Sequence, residues 1–145
     1  MLSGPGGARY QGRELIGEGG QGWVFKAATE DAGEPYVVVK ILRPDVTKPD
    51  VLSRFEREAT VLQALSSGPS PHPNIVRFLD HGRAKVRTES GPIELSYLVL
   101  ELVEGETLAS RLERGPLPEA LALGIAIEAA DALAAVHAVG LVHWD

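Results

Sequence analysis

From Gln11 to Leu42 short apolar runs are separated by turn-forming clusters, the pattern of strands joined by turns. "RELIG" leads into a glycine cluster, "WVFKAAT" mixes aromatic and aliphatic residues, "EDAGEP" is a turn signal, and "YVVVKIL" is rich in β-branched residues. This spacing predicts a three-strand meander. After the proline-punctuated "RPDVTKPD", the period changes: apolar residues at 52, 55, 59, 62 and 65 predict a helix over 51–65, with Asp50 as its N-cap. "SSGPSPHPN" reads as loop, and "IVRFLDHG" and "IELSYLVLEL" as two further strands around a polar connection. From Gly105 onward only helices are predicted. "TLASRLERG" is short and amphipathic and stops at Gly115, and Pro118 opens a long helix rich in Ala, Leu and Ile. The change of character around "VEGET" predicts two lobes joined by a short hinge.

Composition narrows the picture. At 145 residues, 44% hydrophobic and 23% charged, the chain falls within the range of a soluble globular domain. A net charge of -6, with 14 scattered Lys and Arg, argues against nucleic acid as a partner. With no cysteine there is no disulfide, thiolate metal site or cysteine nucleophile. The N-terminus lacks the apolar core of a signal peptide, so a cytoplasmic location is expected, with membrane anchoring through downstream sequence as the alternative. The stretch from Ala120 to Val142 is long enough to span a bilayer. However, Glu128 and Asp131 near its centre would each cost about 3 kcal/mol there, so a buried helix of a soluble protein is expected.

"GEGGQGWVFK" sets Gly17, Gly19 and Gly22 in the pattern G-x-G-x-x-G, in which the backbone can approach a phosphate with its N–H groups free to donate. Dinucleotide-binding folds share the pattern, but there a helix follows the last glycine, whereas here a strand does. A dinucleotide-dependent oxidoreductase is therefore disfavoured. In "YVVVKIL", Tyr36, Val38, Lys40 and Leu42 share one face and Val37, Val39 and Ile41 the other. Both faces are apolar, so the Lys40 ammonium either snorkels to water at the strand end or meets an anion. Glu58 interrupts the apolar helical stripe of Phe55, Leu62 and Leu65, making it the candidate partner.

These segments in this order resemble the eukaryotic-like serine/threonine protein kinases also found in bacteria. Gly17, Gly19, Gly22 and Val24 match G-x-G-x-x-G-x-V, and "VVVK" stands where such kinases have V-A-I-K. "RFEREATVLQAL" resembles their αC helix with its glutamate, followed by "HPNIV". "YLVLELVEGETL" is similar to the strand that runs into the hinge, and "GLVHWD" to the start of the catalytic loop.

The resemblance implies an α+β fold. It comprises a small lobe (five-stranded antiparallel sheet plus αC), a hinge, and the first helices of an incomplete helical large lobe. The expected division is a flexible lead at 1–9, small lobe at 10–100, hinge at 101–105 and the start of the large lobe at 106–145. It also implies roles. Ile16, Gly17, Glu18, Gly19, Gly20, Gln21, Gly22, Val24, Val38, Lys40, Leu100, Glu101 and Val103 would bind ATP. The loop backbone would cover the phosphates, Lys40 held by Glu58 would contact the α and β phosphates, and Leu100 would gate the pocket behind the adenine. Asp145 would be the base that accepts the proton of a protein substrate's hydroxyl. Magnesium would be the metal, its ligands expected beyond Asp145.

Two features depart from the family pattern or go beyond it. Trp144 stands where the family has arginine, and an indole has one donor and no charge, so switching through a phosphate–arginine pair is not expected. The long helix is apolar nearly all round, with Glu128, Asp131 and His137 as its strongly polar residues between 120 and 139. Such a helix is buried on most sides. Little else in the chain could cover it, so 1–145 is expected to be a fragment or to need a partner or downstream segment that completes the large lobe. A fragment of this kind would be inactive alone, and a non-catalytic, pseudokinase-like module is the alternative. His72, His81, His137 and His143 show no metal-ligand spacing, and His143 reads as a structural residue of the catalytic loop.

Overall fold

The computed structural model describes residues 2–3, 9–19, 22–29, 35–43, 49–66, 71–89 and 91–140. Strands β1 (Leu2–Ser3), β2 (Arg9–Glu18), β3 (Gly22–Thr29) and β4 (Tyr36–Leu42) are followed by helix α1 (Pro49–Ser66). Strands β5 (Phe78–Thr88) and β6 (Gly91–Glu101) come next, and helices α2 (Leu108–Glu113) and α3 (Glu119–Ala138) complete the order. One antiparallel sheet takes the strands in the order β1-β2-β3-β4-β6-β5. Five are the expected long strands. The sixth lies within the segment expected to be a flexible lead: Leu2 pairs with Tyr10 and is buried, so its side chain joins the core.

Register explains the two cores. Val39 of β4 faces Val99 of β6, and with Val37, Tyr97, Ala27, Tyr10 and Leu2 it fills one side of the sheet. Lys40 faces Leu98 and Val38 faces Leu100 on the other side, where Leu42, Leu98 and Phe78 pack against Phe55 and Ala59 of α1. Those helix residues are one turn apart, and Leu52 and Leu62 extend the same stripe. Full burial of each such side chain contributes about 1.5 to 3 kcal/mol, so this stripe is what holds α1 to the sheet. Helix α1 begins at Pro49, so Asp50 lies in its first turn rather than at the cap. Its last residue, Ser66, accepts the Phe78 N–H at 2.7 Å through Oγ and so ties the helix end to β5.

The sheet is strongly curled. Tyr10 on β2 and Asp80 on β5 lie on strands separated by three others, yet the Tyr10 hydroxyl donates to Asp80 Oδ2 at 2.9 Å. The Tyr10 ring also lies 6.2 Å from the Tyr97 ring at a tilted angle that suits aromatic pairs. Tyr97 is fully buried over Gly82, where a Cβ would come within 2.8 Å of its hydroxyl oxygen. Strand β5 continues through "RAKVRT", where the sequence pattern predicts a polar connection. Ala84 and Val86 turn inward there while Arg83, Lys85 and Arg87 face water.

Beyond the sheet, Thr107 caps α2 by accepting the Ser110 N–H, and Gly115 ends it at a φ of +114°. Helix α3 is left uncovered, as expected of an apolar helix with little else in the chain to pack on it. It has no buried residue, and Leu121, Leu123, Ile127 and Leu133 are exposed. By length and composition it could cross a membrane. Its polar contacts among the described residues are with the loop after α1. Asn74 Nδ2 donates to the Glu128 carbonyl at 3.4 Å, and His72 Nε2 lies 3.3 Å from Asp131 Oδ2. The Asn74 backbone N–H donates to His72 Nδ1, which leaves Nε2 to carry the proton directed at Asp131. That small polar contact cannot cover a helix that is apolar all round.

Two outcomes test this packing. Gly82→Ala should overfill the space under Tyr97 and cost about 1 to 3 kcal/mol, read as a lower denaturant midpoint at unchanged slope. Burial first, and then the Asp80 carboxylate, push the Tyr97 phenol from 10.0 up to about 12. The folded state therefore holds this proton more tightly than the unfolded chain does. Its contribution is complete below pH 10 and is lost as pH rises towards 12. Ultraviolet titration should show one of the three tyrosines ionising late, and Tyr97→Phe should remove both that late step and the matching loss of stability.

Candidate functional site

The face of β4 that meets α1 carries the site. Val24 on β3 pairs with Lys40, and Lys26 with Val38. Across the sheet, Lys40 pairs with Leu98 and Val38 with Leu100. Antiparallel partners project to the same side, so Val24, Val38, Lys40 and Leu100 form one patch, each partly buried. Lys40 does not snorkel to water. Its Nζ donates to both carboxylate oxygens of Glu58 at 2.7 and 2.8 Å, and the two side chains are 27% and 38% exposed. The strand alternation and the helical stripe that suggested the pair thus bring these two residues together. Phe55 and Ala59 anchor the helix, and Glu58 is the flanking position that meets Lys40 on the interior strand β4.

The glycine segment is a hairpin tip. Gly19 and Gly22 close it with reciprocal backbone bonds of 3.0 and 3.3 Å, which leaves two residues between them. Those residues, Gly20 and Gln21, lie outside the described residues. Strand follows Gly22, so the helix that a dinucleotide fold requires is absent at this point. Gly22 passes so close to β4 that a Cβ there would overlap the Ile41 carbonyl oxygen. At Gly19 a Cβ would meet nothing within 4 Å among the described residues. Bulges interrupt β2 between Gly12 and Glu14 and between Leu15 and Gly17. The second leaves Ile16 without a cross-strand partner and 46% exposed.

At the other end, β6 runs out at Glu101. Its backbone N–H donates to the Arg77 carbonyl at 3.0 Å, and its side chain accepts the Arg77 backbone N–H at 2.8 Å. The Glu101 side chain is thereby turned onto the loop before β5. Val103, two residues on, is 69% exposed, and its backbone makes no backbone–backbone hydrogen bond among the described residues. Asp145 lies outside the described residues, as do His143 and Trp144.

Two contacts were not anticipated from the sequence. Arg77 braces Glu101 as described, and Arg43, just beyond β4, reaches Glu18 and Trp23. Arg43 directly follows a strand pattern, but nothing in its spacing signalled a partner 25 residues away. Among the described residues no cluster of three metal-ligating side chains occurs. Both Glu58 oxygens are occupied by Lys40, so the described residues offer no carboxylate set that fits magnesium.

Comparison with known proteins accounts for this arrangement. Residues 10–145 match the protein kinase domain. The chain is 36% identical over 141 residues to a probable serine/threonine-protein kinase of Clostridium perfringens, covering 96% of this chain and 18% of that protein. It is 37% identical over 142 residues to the probable serine/threonine-protein kinase PknB of Bifidobacterium longum, covering 96% and 20%. It is also 37% identical over 139 residues to the serine/threonine-protein kinase PknA of Mycobacterium tuberculosis, covering 94% and 30%. The chain therefore spans less than a third of the length of these relatives. A match running from the first long strand to the last residue, on a sheet that sets a lysine–glutamate pair beside a glycine hairpin, makes this chain a member of the protein kinase domain family.

Proposed function

We propose that the chain is the ATP-binding portion of a serine/threonine protein kinase, an enzyme that transfers the γ-phosphoryl group of ATP to hydroxyls of a protein substrate. The observation that carries this reading is the two-pronged Lys40–Glu58 bond on the face continuous with the glycine hairpin. A lysine held in this way presents its remaining donor in a fixed direction, which suits a phosphate oxygen better than a free ammonium would.

In this reading the backbone of the loop from Gly17 to Gly22 covers the phosphates and Lys40 contacts the α and β phosphates. Val24, Val38 and Ile16 supply apolar area for the adenine, with Leu100 at the back of the pocket. The exposed backbone at Val103, with that at Glu101, takes the polar edge of the base. Asp145 accepts the proton of the substrate hydroxyl as it attacks. Magnesium neutralises phosphate charge in such transfers. The described residues offer it no ligand set, so their part is to bind and orient the nucleotide. A cytoplasmic location follows from dependence on ATP and a protein substrate.

A thermal-shift titration of the intact protein with magnesium ATP tests the assignment. Nucleotide at about 100 times its dissociation constant should add about 2.7 kcal/mol of stability. Lys40→Met should remove most of that shift, and Glu58→Gln should remove part of it. An unchanged shift in Lys40→Met would overturn the role given to the lysine. Nucleotide protection without phosphorylation of any protein substrate would instead favour the non-catalytic module.

A further inference from the structure

The outer face of the glycine hairpin, opposite Lys40, carries a contact that the ATP-binding reading does not use. Glu18, at the end of β2, stands directly across from Trp23 at the start of β3, and Trp23 pairs with Ile41 on β4. Arg43, the first residue beyond β4, joins Glu18 and Trp23. Its Nη2 donates to Glu18 Oε1 at 2.9 Å, and its guanidinium carbon lies 5.1 Å from the centre of the Trp23 ring. The arginine is about one-third exposed, so the stacked and ion-paired guanidinium is partly shielded from water, where both contacts are stronger than at a fully wetted site.

We propose that Arg43 is a positioning residue for the glycine hairpin, clamping Glu18 and Trp23 on the outer face so that the hairpin's inner face keeps a fixed height above Lys40. The hairpin needs such a device. Its closing residues, Gly19 and Gly22, carry no side chains to pack, and Gly22 meets β4 through bare backbone, which makes it a natural pivot. The clamp acts on both strands just below that pivot and from the side away from the nucleotide, so it restrains the loop without occupying the space a phosphate would take. A guanidinium suits the task because a single planar group can stack on the indole and donate to the carboxylate at once.

The clamp rests on the nucleotide-binding reading for its consequence but not for its existence, and two measurements separate them. Amide hydrogen exchange on the nucleotide-free intact protein reads the clamp. Arg43→Ala should speed exchange across residues 17–24 several-fold, and Arg43→Lys, which keeps the charge but loses the planar stack, should fall between. Trp23→Leu is the second variant, and it should reproduce the effect of Arg43→Ala. Magnesium ATP titration reads the consequence: Arg43→Ala should weaken binding by about threefold to tenfold, the range expected for one cation–π contact and one surface ion pair. Lys40→Met should lose nucleotide binding. If exchange at 17–24 is the same in wild type, Arg43→Ala and Trp23→Leu, the clamp is overturned. If exchange changes but wild type gains no protection from ATP, the clamp stands and the nucleotide reading falls.

Discussion

An ammonium on a strand that is apolar on both faces must be neutralised where it stands or the strand is not worth burying. Lys40 meets that condition only because α1 delivers Glu58 to it, and much of the architecture serves that delivery. Phe55 and Ala59 sink into the sheet surface between Leu42, Phe78 and Leu98 and set the rotation of the helix. Ser66 fixes its far end to the first residue of β5. A helix rotated by one residue would aim Arg57 or Ala59 at the lysine and leave a partly buried charge alone, a cost of several kcal/mol in other proteins. The pair and the helix packing therefore specify each other.

The curl of the sheet is the second constraint. Bringing β2 over β5 lets Tyr10 reach Asp80 and closes the side of the sheet that has no helix on it. A flat sheet of the same strands would leave Val37, Val39 and Val99 facing water. The curl requires close approach at two places, and glycine stands at both: Gly82 beneath Tyr97, and Gly22 against the Ile41 carbonyl.

How much of this could be read in advance depended on the range of the interaction. The strands of the meander, α1 and the Lys40–Glu58 pair were legible because each rests on local periodicity: alternation put Lys40 on a known face, and the 3.6-residue repeat put Glu58 beside Phe55. Strand β1 was not legible, since two residues carry no period. The run through Arg83, Lys85 and Arg87 reads as connection because long cations mask the small inward residues between them, although its alternation is regular. The Arg43 contact was missed because an arginine's partner is chosen by tertiary approach and not by spacing, and the Arg77 bonds because they run through its backbone. The exposure of α3 was half-legible: its composition pointed to burial, but what would bury it is a matter of neighbours rather than of pattern.

The bulge at Ile16 governs more than its own position. Continued without it, the pairing of Leu15 with Phe25 would set Glu18 across from Gly22 and leave a tip of three residues, 19–21. The extra residue advances β2 by one, so Gly19 meets Gly22 and the tip holds two. It also turns Glu18 over. In the unshifted frame its carboxylate would share the face of Val24 and Lys40, like-charged with any phosphate there, whereas in the observed frame it lies on the outer side with Trp23 and Arg43. Deleting Ile16 alone would straighten the strand and keep Glu18 opposite Trp23, so what places the carboxylate on the outer surface is the looping-out of Ile16 from the ladder, not its side chain.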